Sequence, residues 1–166
     1  MKTADKNSQV MKGSHIDRLL EDLKNPEESV RDRATSELWR IWFQEKGIVG
    51  FEMIRRAQIL IEEGETKEAE KVLTQLISDL PDFAEAWNRR AVLYYTMGEY
   101  RKAIKDCKRV IKLNPVHFGA LHGLGLSYAA VGEYRAAIQA FRQALEIQPY
   151  AIVNQRLILE CTARLS

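Results

Sequence analysis

The sequence predicts an all-α fold: a right-handed superhelical solenoid of three helix–turn–helix repeats, with a helix pair before it and a capping helix after it. The first observation is an internal period. Residues 50–83, 84–117 and 118–151 align with one another at a constant offset, and a period of about 34 residues is typical of stacked helical units. The second observation is that apolar residues recur in each unit at three- and four-residue steps. One unit cannot bury such a stripe alone, so neighbouring units bury it together.

Glycine and proline mark the same places in all three units. One glycine separates the two helical patterns of each unit: Gly64, Gly98 and Gly132. A residue that tolerates positive φ closes the first helix there. One proline ends each unit: Pro81, Pro115 and Pro149. Proline stops the second helix and begins the next unit. We therefore predict six helices in residues 50–151.

The repeated segments resemble tetratricopeptide repeats, a family of helix–turn–helix units with this same period. The second unit carries the pattern at Trp87, Ala91, Tyr94, Gly98, Tyr100, Ala103 and Pro115. Arg56 and Arg90 depart from it, since the family favours Leu there. The resemblance implies a scaffold whose first helices line a concave groove. It implies little about function, because the family serves many partners.

The segments that flank the repeats receive separate predictions. Residues 1–14 are polar and lack periodicity, so we predict disorder. Residues 15–49 read as a helical extension, and residues 25–38 resemble the second helix of a HEAT repeat. An aromatic cluster there comprises Trp39, Trp42 and Phe43; it either covers the first repeat or folds back into the groove. Residues 152–166 read as a capping helix with a polar face of Asn154, Gln155, Arg156, Glu160 and Arg164.

Composition excludes several classes of protein. The net charge of +2 gives no overall attraction to nucleic acid or acidic membranes. Two cysteines make no disulfide framework, so we predict free thiols, a buried Cys107 and a reducing intracellular compartment, the cytoplasm or an organelle stroma. No apolar run reaches the length of a membrane span. We expect no catalytic residues, no cofactor and no metal, because the histidines lack ligand spacing to either cysteine.

The groove is the main candidate for function. The exposed sides of the first helices are expected to carry Phe51, Ile54, Arg55, Gln58, Asn88, Arg89, Val92, Tyr95, His122 and Leu126. This surface mixes apolar and polar groups, as protein interfaces do. We predict a non-enzymatic adaptor that holds a peptide or helix of another protein there.

Some members of the family clamp the acidic C-terminal tails of cytosolic chaperones with Lys, Asn and Arg residues. Carried over to this chain, those positions fall on Ile54, Gln58, Arg89, Gly119 and Gly123. Only Arg89 fits the required chemistry. The resemblance therefore favours an apolar or mixed ligand over an acidic tail.

A basic stripe follows the second helix of the second unit: Arg101, Lys102, Lys105, Lys108, Arg109 and Lys112. A solvated convex face is the simplest interpretation. One alternative is contact with an RNA backbone, although no aromatic residues interleave to stack on bases, which makes nucleic acid an unlikely partner. Another is weak self-association, in which this stripe meets the acidic residues of a second copy: Glu62, Glu63, Glu65, Glu68 and Glu70.

Overall fold

The computed structural model describes residues 2–166, with side chains at residue 6 and from residue 8 onward. The described residues form nine α-helices and no strand: α1 (Lys2–Asp22), α2 (Glu28–Phe43), α3 (Gly47–Glu62), α4 (Thr66–Asp79), α5 (Ala84–Thr96), α6 (Tyr100–Leu113), α7 (Phe118–Ala130), α8 (Tyr134–Ile147) and α9 (Ile152–Ala163). Helices α3 to α8 form three antiparallel hairpins. Each hairpin packs on the next, through α4 on α5 and α6 on α7. The predicted all-α repeat fold is confirmed.

Each hairpin turns at a glycine in the left-handed region, as predicted. The φ angles are +80° at Gly64, +76° at Gly98 and +79° at Gly132. In the first hairpin the backbone N–H of Glu65 donates to the carbonyl of Leu60 at 2.8 Å. This bond spans the left-handed residue and satisfies a carbonyl that the helix end leaves free. The glycine therefore sets the reversal that brings the two helices together.

Arg90 departs from the family pattern because it has a partner inside the stack. Its guanidinium donates to both carboxylate oxygens of Asp106, at 2.7 Å and 3.0 Å. Asp106 is 2% exposed, so the pair is a buried link between α5 and α6. Arg56, at the equivalent position of α3, is exposed.

The N-terminal extension differs from the prediction in its extent. Helix α1 begins at Lys2, so the structure is helical through most of the segment that we predicted to be disordered; Met1 lies outside the described residues. No proline interrupts this segment, and its side chains from Ser8 to Ser14 are exposed. Helices α1 and α2 pair through Leu23 and Leu38, which are 1% and 0% exposed. Helix α3 starts at Gly47 rather than at residue 50.

The predicted polar cap on α9 is wrong at Asn154, whereas Gln155, Arg156, Glu160 and Arg164 are exposed as predicted. Asn154 was assigned to the solvent face, yet it is 4% exposed and lies 2.6 Å from His122 Nδ1. Ile152 and Leu159 point outward instead, 75% and 70% exposed. The reason is the repeat itself. Asn154 lies one repeat period after Ala120, and both face the preceding hairpin.

Candidate functional site

The first helices of the three hairpins carry the predicted groove residues, but not all of them are accessible. Ile54 and Asn88 are only 3% and 5% exposed, so neither presents its side chain to a ligand. Val92 is 48% exposed. The other predicted groove residues are exposed or half-buried: Phe51, Arg55, Gln58, Arg89, Tyr95, His122 and Leu126.

Helix α2 lies across the stack, over the starts of α5, α7 and α9. Just after its end, Lys46 Nζ lies 2.6 Å from Asp82 Oδ2, before α5. In its last turn, the Trp42 ring stacks on His117, just before α7. Towards its beginning, the Arg31 guanidinium lies 4.2 Å from the centre of the Tyr150 ring, before α9. The extension thus covers one edge of the repeats.

The same helix fills the neighbouring part of the concave surface. A Cβ added at Gly119 would lie 2.6 Å from the Trp39 ring, so that glycine is already in contact. The Phe43 ring lies 4.6 Å from the guanidinium carbon of Arg89. Both alternatives for the aromatic cluster are realised. Phe43 packs against the buried cluster that includes Ile54 and Leu76 of the first repeat, and Trp39 lies on Gly119 near the start of α7.

A buried polar cluster lies beneath α2. Glu85 and His117 are both 0% exposed, and His117 Nε2 lies 3.0 Å from Glu85 Oε2. The other ring nitrogen, Nδ1, accepts the backbone N–H of Ala120 at 3.0 Å. His117 is therefore the N-cap of α7, and in the neutral ring its Nε2–H donates to Glu85. Our reading of the sequence missed this role; the signal was a side-chain acceptor just before an apolar helix.

The cluster also engages Arg89. Its Nε donates to Glu85 Oε1 at 3.1 Å, and Glu85 carries the opposite charge. Asn88 donates to the same oxygen at 3.2 Å. With Ile54 buried and Gly119 under Trp39, the positions carried over from the chaperone-tail clamp present no uncompensated cation.

One uncovered part of the concave surface is a strip of Val92, Tyr95, Leu126 and Ala130, and Arg55 of α3 is also exposed. Val92 and Leu126 occupy equivalent positions of α5 and α7, one repeat period apart, and the two helices are in contact. The Tyr95 ring packs edge-on against Tyr100, with centroids 5.3 Å apart. Ala130 is exposed. None of the four residues is charged.

The basic stripe is largely engaged with the chain itself. Arg101 Nη1 lies 2.5 Å from Glu133 Oε1, and Lys102 pairs with Glu99. Lys108 Nζ lies 5.7 Å from the centre of the Tyr128 ring, and the Arg109 guanidinium lies 5.7 Å from that of Trp87. No observation favours RNA over a solvated face for this surface.

The described residues bring no three His, Cys, Asp or Glu side chains together in a way that could hold a metal ion. Both cysteines are free and buried, as predicted for Cys107. Burial raises the pKa of the Cys107 thiol to about 12, so it stays protonated at neutral pH. Across residues 2–166, no helix combines the length and apolarity needed to cross a membrane.

Comparison with known proteins shows which fold this chain shares. The family model for the tetratricopeptide repeat matches residues 84–117 and 119–150. No curated protein matches the chain at a significant level. Among solved structures, the first TPR of Spaghetti (RPAP3), bound to the HSP90 peptide SRMEEVD, has a TM-score of 0.66 and 18% identity, over 68% of this chain and 90% of that chain.

Two other solved structures are similar to a comparable degree. The Sgt2 TPR domain from Aspergillus fumigatus has a TM-score of 0.64 and 20% identity, over 69% of this chain and 77% of that chain. The second TPR domain of human RPAP3, in complex with the HSP70 peptide SGPTIEEVD, has a TM-score of 0.63 and 23% identity, over 66% of this chain and 92% of that chain. These similarities concern the fold.

Proposed function

We propose that this chain, whose residues 84–117 and 119–150 match the family model for the tetratricopeptide repeat, is a non-enzymatic adaptor that binds a peptide or helix of another protein on the open strip. The ligand lies along Val92, Tyr95, Leu126 and Ala130, with α2 as one wall. Solved structures of this fold hold peptides of partner proteins, as the HSP90 and HSP70 complexes of RPAP3 do.

The exposure of Val92 carries the proposal. Its neighbours in α5, Ala91 and Leu93, are 3% and 0% exposed, whereas Val92 is 48% exposed. Val92 lies on the side of α5 that faces the ligand, and no residue of the strip is charged. The Val92 side chain loses contact with water when a partner binds. Burying it contributes up to about 1.5 kcal/mol, as for other aliphatic side chains.

The chemistry of the strip favours an apolar or mixed ligand. The peptides in the RPAP3 complexes end in EEVD and are acidic. In this chain Arg89, one turn before Val92 in α5, is held by Glu85 at 3.1 Å, and its guanidinium carbon lies 4.6 Å from the centre of the Phe43 ring. A ligand with two apolar side chains at helical spacing would place them on Val92 and Leu126.

A peptide selection tests the proposal. Peptides from a random display library are selected on the full chain, and each is then measured by titration against Val92→Arg and Tyr95→Ala. We expect apolar or amphipathic sequences whose affinity falls about tenfold or more in both variants. Ile59→Arg is the matched control, because Ile59 is 44% exposed but occupies the repeat position of Leu93, which lies off the strip.

Two outcomes would oppose the proposal. If the selected peptides bind Val92→Arg with the same affinity as the wild type, the binding site lies elsewhere. Tight binding of SRMEEVD, abolished by Arg89→Ala and insensitive to Val92→Arg, would replace the apolar ligand with an acidic tail.

A further inference from the structure

Helix α9 presents an apolar stripe that no described element covers. Ile152, Leu159 and Ala163 lie on one side of the helix and face away from α8, with Arg156 beside them, whereas Asn154 and Cys161 on the opposite side are buried. Ile152 is 75% exposed and Leu159 is 70% exposed. Within residues 2–166 this stripe is unpartnered, and its spacing is that of a helix-pairing seam.

The repeat shows what normally covers this face. Leu159 occupies the position of Ala57, Ala91 and Gly125 in the three hairpins. In the third hairpin the second helix packs so closely there that a Cβ on Gly125 would lie 2.4 Å from the Phe141 ring. A leucine does not allow that approach. The face of α9 therefore suits a helix at the wider spacing of a coiled coil.

We propose that α9 pairs with α9 of a second copy of this chain, antiparallel about a twofold axis. Ile152 then lies opposite the partner's Ala163, and Arg156 lies opposite the partner's Leu159. Each copy supplies the other with an antiparallel helix, as the second helix does inside each hairpin. Such an interface uses the same patch on both copies.

The charges beside the stripe are self-complementary, which favours a second copy over an unrelated partner. The Arg156 and Glu160 side chains are 68% and 61% exposed, and Arg156 Nε lies 3.5 Å from Glu160 Oε1 of its own helix. The twofold axis brings Arg156 beside the partner's Glu160, and this pair occurs twice. The stem of Arg156 covers the partner's Leu159 while its head stays in water.

The dimer is expected to be weak. Helix α9 has 12 residues, a length of about 18 Å at 1.5 Å per residue. A pair of such helices buries less than the standard interface of about 1,600 Å². The dimer therefore forms at high protein concentration. This inference does not depend on the proposed function.

Sedimentation of the full chain from micromolar to millimolar concentration tests the pairing. The wild type is expected to approach twice the monomer mass as concentration rises, and Leu159→Glu is expected to raise the dissociation constant by about tenfold or more. The matched control is Ile48→Glu, since Ile48 is 80% exposed on α3, outside this stripe. The Ile48→Glu variant should associate like the wild type. A wild type that stays monomeric throughout would overturn the proposal, and so would an effect confined to Ile48→Glu.

Charge reversal tests the orientation separately. Arg156→Glu and Glu160→Arg are each expected to weaken association, because each places like charges across the axis. An equimolar mixture of the two variants should associate more strongly than either alone, since opposite charges meet again in the mixed dimer. A mixture that associates no better than its components would overturn the antiparallel arrangement.

Discussion

The indole of Trp42 stacks on the imidazole of His117, with ring centroids 4.5 Å apart and 19° between the ring planes. Trp42 belongs to α2, whereas His117 caps α7, so this contact joins the N-terminal extension to the third hairpin. Beneath it, the imidazole is held by Glu85 of α5 at 3.0 Å. The extension is therefore anchored to a rigid, hydrogen-bonded point of the repeats.

Trp42→Ala is expected to lower the free energy of unfolding by about 3–5 kcal/mol, the usual cost of truncating a buried tryptophan. Trp42 is 6% exposed, and its loss also exposes the Glu85–His117 pair. Urea unfolding followed by circular dichroism measures the change. Trp42→Phe keeps an aromatic ring on the imidazole, so it should cost clearly less. Equal effects of both substitutions would show that the stacking is unimportant.

Asp106 depends on Arg90. In Arg90→Leu the carboxylate of Asp106 stays buried without its cation, which is expected to destabilise the protein by about 3–5 kcal/mol. The double variant Arg90→Leu with Asp106→Leu removes both charges and should recover most of that loss. A thermodynamic cycle from urea unfolding gives the coupling between the two residues. Additive effects would mean that the buried pair is not coupled.

Two glycines of α7 provide a matched pair of substitutions. A Cβ at Gly125 would lie 2.4 Å from the Phe141 ring, so Gly125→Ala is expected to cost about 1–3 kcal/mol of stability through overpacking. A Cβ at Gly123 would meet only the sulfur of Cys107, at an ordinary 3.5 Å. Gly123→Ala should therefore be neutral, or stabilising by up to about 1 kcal/mol through helix propensity. Thermal unfolding compares them, and a reversed order would contradict this packing.

Two glutamates, Glu37 inside α2 and Glu45 just after it, should respond oppositely to pH. Desolvation raises the pKa of Glu45, and Asp82 and Glu85 add to this effect while Lys46 opposes it. The stability that Glu45 contributes is present below its ordinary pKa of 4.5 and is lost as pH rises through the folded value. Glu45→Gln should therefore raise the melting temperature at neutral pH, and the gain should vanish in acid.

Glu37 serves as the opposite case. Its hydrogen bonds to Arg40 lower its pKa to about 2, so its contribution is present above 4.5 and is lost as pH falls towards 2. Glu37→Gln should lower the melting temperature at neutral pH, with the deficit shrinking in acid. Melting curves of both variants across this range check the signs; a gain from Glu37→Gln at neutral pH would contradict the pairing with Arg40.

The repeat period by itself determined the helix pairs, their turns and the small residues between them. Each of these features is local or repeats at a fixed offset, so it is visible without coordinates. Gly98 has positive φ because a helix must end there, and Ala91 is small because the second helix of its hairpin must come close. These requirements recur in every unit, and because they recur they could be predicted from the sequence.

Only the tertiary structure decided which part of the concave surface stays open. Glu85 and His117 lie 32 residues apart in the chain, and Trp39 and Gly119 meet across a still longer separation. Such contacts depend on how the extension, which does not follow the period, lies on the repeats. The solvent exposure of Leu159 could not be predicted for a related reason. The apolar stripe of a helix indicates that this stripe must be covered, but the arrangement of the neighbouring helices decides which side of the helix remains exposed to water.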